Sequence, residues 1–502
     1  MPPLTEMGYR LTFTLDPLRV QVLVDHPRLA GTKAIHQRIL TRYYDSGDLD
    51  LERLGLRLAV RWREGHWCQS LEEAQTGVIL TEALVEGPEP DRTKLTIRGK
   101  LARRLNRALD GKALVSHVQL EEERSRRVLE PDLEVTLSRQ HIEAAGRRES
   151  LIRLEITAAR FGEVLALARQ LARQAPLLQQ EERGGERGFG WLTGRWPSFY
   201  KARPLALETD LDAEQAFGVI VASCLKQVRA NLVAVLDGQP EGVHQLRVAL
   251  RRLRAALKAF RPLIPKQASE TLVGEVRWIS GLLGPCRDWD VFIEEGLKPI
   301  AGHFPQRRGL KNLLDRARSL RGGHYRQLYQ ALTTSRYHLM ILDWQVWLAE
   351  RAWREYCTES QGKILAAPAR DFALRVLKRA YRRVVEEGER FGELTVVERH
   401  DLRIRIKELR YALEFFSCLF DPKAAGRMAK ASSQLQDSLG ILNDIAVAKR
   451  LLEEAGTAPN NATRALVEGW YGCKAAMLVG RFPDGWSAFI GQQPFWKGES
   501  PA

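Results

Sequence analysis

A chain of 502 residues is long enough for two or more domains, each burying its own core. With 44% hydrophobic and 8% aromatic residues, wholesale disorder is excluded. The net charge of +15 points to an acidic partner, and it is uneven: residues 1–200 carry 31 Lys and Arg against 28 Asp and Glu, so most of the excess lies beyond them. Cys68, Cys224, Cys286, Cys357, Cys418 and Cys473 are far apart and form no CxxC pair. That spacing argues against a structural zinc site or a disulfide framework and fits a reducing compartment. The N-terminus lacks the apolar run of a signal peptide, and no stretch is read as reaching the roughly 20 apolar residues of a membrane span. A soluble, cytoplasmic protein is expected.

Residues 1–195 read as strand-rich. RLTFTL (10–15), LRLAVRW (56–62), HWCQSL (66–71), GVILTEALV (77–85), LEVTLS (133–138) and LIRLEIT (151–157) are short runs bounded by Gly, Pro or charged turns. FGEVLALARQLARQ (161–174) has helical spacing. An antiparallel β-domain follows, sandwich or barrel, with a helix added. Two prolines and no period place a linker at 196–210. A helical pattern then runs over 211–482, and residues 483–502 read as a tail without a clear element.

The helical region repeats itself. HQLRVALRRLRAALKAF (244–260) matches HDLRIRIKELRYALEFF (400–416) at an offset of 156. The same offset carries LLGPCRDWDV (282–291) onto SLGILNDIAV (438–447), Gly284 onto Gly440, Asp288 onto Asp444 and Lys226 onto Arg382. A gapless match over some 60 residues predicts two copies of one helical unit, about 211–300 and 365–455, packed about a pseudo-two-fold axis.

At about 100° per residue, His244, Arg247, Arg251, Arg254 and Lys258 share a narrow wedge of the first helix. Leu246, Leu250, Leu253, Leu257 and Phe260 form the neighbouring core stripe. In the second copy His400, Arg403, Lys407 and Arg410 take the same wedge, and Glu414 stands where the first has Lys258. A solvated surface helix interleaves acids with its cations; here like charges stack at i, i+3 and i+4, which is destabilising unless an anion relieves them. RDFALRVLKRAYRRV (370–384) adds Arg375, Lys378, Arg379, Arg382 and Arg383, and LKQVRANL (225–232) adds Lys226 and Arg229. Four such helices would line one cationic groove. Guanidinium forks suit phosphate oxygens, and the absence of interleaved aromatics disfavours base stacking, so a phosphate chain is preferred over nucleic acid. Histidines beside several cations are expected to be neutral and to donate hydrogen bonds to phosphate.

These residues resemble CHAD domains. VHQLRVALRRLRAAL and HDLRIRIKELRYALEFF, with LLGPCRDWDV and LGILNDIAVAK, are similar to that family's two signature blocks over roughly 210–455. The resemblance implies duplicated four-helix units that bind inorganic polyphosphate through the basic residues above.

Residues 1–195 resemble a CYTH domain: TRYYDSGDLDLERLGLRLAVRWREGHWCQSLE (41–72), FGEVLALARQLARQAPLL and GGERGFGWLTG are similar to its turn, strands and closing segments. The resemblance implies an eight-stranded tunnel holding triphosphate, with enzymes that use Mg²⁺ or Mn²⁺. This sequence departs from the family pattern. EMGYR keeps Glu6 but has Gly8 for the second glutamate and Arg10 for the lysine. Glu72 stands for a lysine, RLEIT keeps only Glu155, and a further lysine falls at Gly184; Arg61 and Arg63 survive. The expected molecule is therefore an α+β multidomain protein with a degenerate β-tunnel and a CHAD-like helical domain. It is expected to bind polyphosphate without catalysis or cofactor, in the cytoplasm and on polyphosphate granules. An active metal-dependent triphosphatase and a nucleic-acid-binding helical protein are the alternatives.

Overall fold

The computed structural model describes residues 4–5, 8–74, 76–180 and 185–496, without the side chains of Val396, Ile441 and Leu442. Its chain divides into two units, Met1–Ser198 with Thr333–Leu342 and Phe199–Leu332 with Asp343–Ala502.

The first unit is built on one antiparallel sheet of ten strands: β1 (Leu4–Thr5), β2 (Gly8–Leu15), β3 (Ala34–Ser46), β4 (Leu56–Arg63), β5 (His66–Glu73), β6 (Ile79–Val85), β7 (Leu114–Glu130), β8 (Leu133–Ala144), β9 (Arg147–Ala158) and β10 (Leu178–Gln179). Their order is β1-β2-β9-β8-β7-β3-β4-β5-β6, with β10 also on β2. All six predicted strands are present. The two longest, β3 and β7, gave no strand signal in the sequence, because β7 carries Glu121, Glu122, Glu123, Arg124, Arg126 and Arg127 where alternating apolar residues would announce it. The tyrosine–aspartate turn is a local lock. Asp45 is fully buried and its carboxylate accepts the backbone N–H of Ser46 at 2.7 Å, Leu51 at 2.8 Å and Glu52 at 2.9 Å. It thereby satisfies orphan donors of the short helix Asp50–Leu54.

In the second unit the helices Ala213–Leu236, Pro240–Ala259 and Glu270–Val291 belong to the first copy. Ala369–Gly388, Val396–Phe416 and Pro422–Glu454 belong to the second. The first two helices of each copy begin 156 residues apart, the offset of the sequence match. Contacts between the copies come in reciprocal pairs: Ala213 N–H donates to the Ala367 carbonyl and Ala369 N–H to the Leu211 carbonyl, both at 2.9 Å. The apolar stripes meet in an aromatic core, with Phe260 4.5 Å from Phe372 and 6.0 Å from Phe416 between ring centroids.

Two expectations need correction. Phe482–Ile490, in the stretch read as a tail, is a helix with Phe482 and Phe489 buried. Ala213–Leu236 is long and apolar enough to cross a membrane by length and composition, although 56% of its most apolar window is buried inside the protein. Its apolar character comes from serving the core on several sides, with Gln227 and Asn231 buried as well.

Candidate functional site

The two repeated helices, Pro240–Ala259 and Val396–Phe416, pack together. Their stripes turn inward: Leu246, Leu250, Leu253, Leu402, Ile406, Leu409 and Leu413 are all buried. The adjoining cationic wedges are thereby brought to a common seam. Arg247 and Arg251 from the first helix act on Lys407 of the second, which also feels Arg403 and Arg410 of its own helix. Burial, then Arg403, Arg251, Arg410 and Arg247, push the Lys407 ammonium down to about 7. Burial also lowers Arg247 and Arg403, with Arg251 adding to it in both cases; guanidinium groups nevertheless stay charged. His244 is pushed down by burial first and then by Arg287, with Arg251 and Arg247 adding, so it is neutral near pH 7.

The second signature block anchors the arginines. Arg247 donates to the Gly284 carbonyl at 3.0 Å and to Asp288 at 3.3 Å, and Arg450 takes the other Asp288 oxygen at 2.7 Å. In the second copy Arg403 reaches Asn443 Oδ1 at 3.5 Å and is drawn by Asp444. The repeated aspartates are thus supports behind the repeated arginines. Arg403 Nε and Arg410 Nε are nonetheless buried without a hydrogen-bond partner. An unpaired buried donor costs about 1–3 kcal/mol.

Farther along the same seam the charges alternate in sign. Arg252 is fully buried, donates through Nε to Glu414 at 2.5 Å and through Nη1 to Gln227 at 2.8 Å. Lys258 pairs with Glu408. Positions 252 and 408 are equivalent by the repeat offset, as are 258 and 414. The two bridges are therefore the same contact made twice with the signs exchanged. Glu414, which the sequence showed only as a loss of one cation, holds a buried arginine.

The CHAD domain family matches residues 219–453. These residues are a CHAD domain. The crystal structure of the CHAD domain from the plant Ricinus communis is similar at 29% identity and a TM-score of 0.52, covering 59% of this chain and 98% of that one. An uncharacterized protein of Mycobacterium tuberculosis is 25% identical over 226 residues, which are 44% of this chain and 42% of the relative. The match therefore spans less than half of that relative's length. Other similar structures are described as adenylate or adenylyl cyclases. One, from Hippeastrum, is described as an adenylyl cyclase with a dominant triphosphatase activity; it is 14% identical with a TM-score of 0.27, covering 37% of this chain and 95% of that one.

Within the CHAD domain, the expected groove gathers only part of its residues. His244, Arg247, Arg251, Arg403, Lys407 and Arg410 meet at the seam, joined by Arg287, which the sequence reading passed over. Arg287 stands one residue before the repeated aspartate, where the second copy has Asn443, and that proximity was the available signal. Lys258, Arg379 and Arg383 instead line a cleft of about 310 Å³ with Arg261, Arg405 and Glu408. Arg382 lies 3.4 Å from Glu386. Lys226, Arg254, Arg375, Lys378 and His400 are exposed, and Arg229 is half-buried. The two histidines differ in setting: His244 is half-buried in the cluster, whereas His400 is exposed.

The sheet shows the reverse use of charge. Arg61 donates to Ser70 at 2.6 Å and to Glu72 at 2.5 Å, so Glu72 neutralises Arg61. Glu122 is buried and holds Arg124 at 3.0 Å and the amide of Gln140. Arg126 pairs with Glu134, and Arg10 lies 3.6 Å from Glu155. Arg63 is largely exposed beside Glu64. Glu6 and Gly184 lie outside the described residues. Gly8 has no carboxylate, Glu155 lies 3.6 Å from Arg10, and among the described residues no group of three or more His, Cys, Asp or Glu side chains is placed to hold a metal ion.

Proposed function

We propose that the CHAD domain binds inorganic polyphosphate at the seam of its two repeated helices, without catalysis. The observation that carries this reading is the convergence of Arg247, Arg251, Arg403, Lys407 and Arg410, drawn from both copies, on one half-buried place. Assembling like charges in this way costs stability, and a linear polyanion returns it through charge-assisted hydrogen bonds. The reciprocal contacts support a local two-fold relation between the copies. Aromatic residues of these helices, Phe260, Tyr411, Phe415 and Phe416, are buried, which leaves no stacking platform for bases there. Association with polyphosphate granules in the cytoplasm would follow from such binding. The N-terminal sheet, with Arg61, Arg126 and Arg10 set against acids, is proposed to be inactive on triphosphate and to need no cofactor.

Direct competition tests the ligand class. Long-chain polyphosphate is expected to displace fluorescent DNA or RNA at matched phosphate concentration; displacement in the opposite sense overturns the reading. Tripolyphosphate with Mg²⁺ or Mn²⁺ is expected to release no phosphate above background, and sustained release would assign the triphosphatase alternative.

A further inference from the structure

We propose that the site is proton-linked: Lys407 takes up a proton as the polyanion binds, so that capture is strengthened by acid and weakened by base. This rests on the polyphosphate reading and adds its regulation. Lys407 has Arg403 and Arg410 on its own helix, one turn to either side, and Arg247 and Arg251 across the seam. The carboxylates of the Pro422–Glu454 helix are directed elsewhere, Asp444 to Arg403 and Asp437 to Arg410. Asp288 of the Glu270–Val291 helix serves Arg247 and Arg450. Glu387 of the Ala369–Gly388 helix is taken by Arg405 at 2.6 Å. Among the described residues no acid is ion-paired with Lys407, and four permanent cations surround a half-buried amine that is able to discharge. Guanidinium groups keep their protons, so the repulsion of the empty site is relieved at the amine. A phosphate chain entering the seam reverses the local field and restores the ammonium form, which adds a donor to the bound state.

The test is calorimetric titration of long-chain polyphosphate, whose end groups are a negligible share of its charge, at pH 6.5, 7.5 and 8.5. Each titration is run in two non-phosphate buffers of different ionisation enthalpy. Native protein is expected to take up up to about one proton per site at pH 7.5–8.5, with affinity falling up to about tenfold per pH unit above 7. Lys407→Arg, which cannot discharge, is expected to bind without that pH dependence. Lys407→Met lacks the titrating group as well and is expected to bind more weakly at a flat pH profile. Tight binding with no proton uptake in native protein overturns the linkage and leaves polyphosphate binding standing. An unchanged pH slope in both variants overturns the assignment to Lys407 and points to His244. Absence of binding at every pH overturns the underlying function instead.

Discussion

The two units hold comparable sets of arginines and treat them oppositely. In the sheet several cations are matched to acids: Arg61 to Glu72, Arg126 to Glu134, Arg10 to Glu155. At the helical seam Arg247, Arg251, Arg403, Lys407 and Arg410 face one another, and their acids stand behind them. The difference teaches where a ligand's charge is still required. A neutralised arginine has its partner already and supports the fold; a cluster held against its own repulsion stores binding free energy.

The contrast predicts opposite responses to charge removal, in decreasing size. At the far end of the seam, Glu414→Ala strands the fully buried Arg252, and urea unfolding is expected to show a loss of about 3 kcal/mol. In the sheet, Glu72→Gln leaves Arg61 without its ion partner and is expected to cost about 2 kcal/mol; Glu72→Lys is expected to cost more and to make the unit's thermal midpoint rise with added tripolyphosphate. In the cationic cluster, removal of a charge is expected to stabilise instead: Arg251→Gln raises ligand-free stability by up to about 1 kcal/mol while weakening polyphosphate binding. Lys407 adds a pH signature. Its folded value, about 7, lies below that of a free lysine, so between pH 7 and about 10 the unfolded chain binds more protons. Its contribution to stability therefore grows as pH rises through that window, and Lys407→Gln is expected to flatten that part of the profile. The smallest effect is at Lys258, whose more exposed bridge to Glu408 is expected to be worth under about 1 kcal/mol in a double-mutant cycle.

Much of this was legible in the sequence, for identifiable reasons. The repeat at offset 156 exposed the helical copies because gapless duplication preserves both apolar stripe and cationic wedge. It also indicated that Asp288 and Asp444 matter, since they travel with the arginines. Helical periodicity alone cannot say which wedges meet in space, so the pairing of Arg382 with Glu386 and the place of Arg379 and Arg383 in a separate cleft were not legible. Arg252 was hidden because an arginine on a core-facing position looks like any other cation until Glu414 and Gln227 are placed beside it. Strand β7 was missed because its charged run, with buried Glu122 beside half-exposed Arg124, loses the alternation that marks strands.

The account is tested most directly by titrating long-chain polyphosphate into native protein and into the paired variant Arg247→Ala with Arg403→Ala, at several salt concentrations. Native protein is expected to bind with an affinity that falls steeply as salt rises, and the paired variant to lose at least about tenfold while remaining folded. Equal affinity in the two proteins would contradict the claim that the seam arginines hold the ligand.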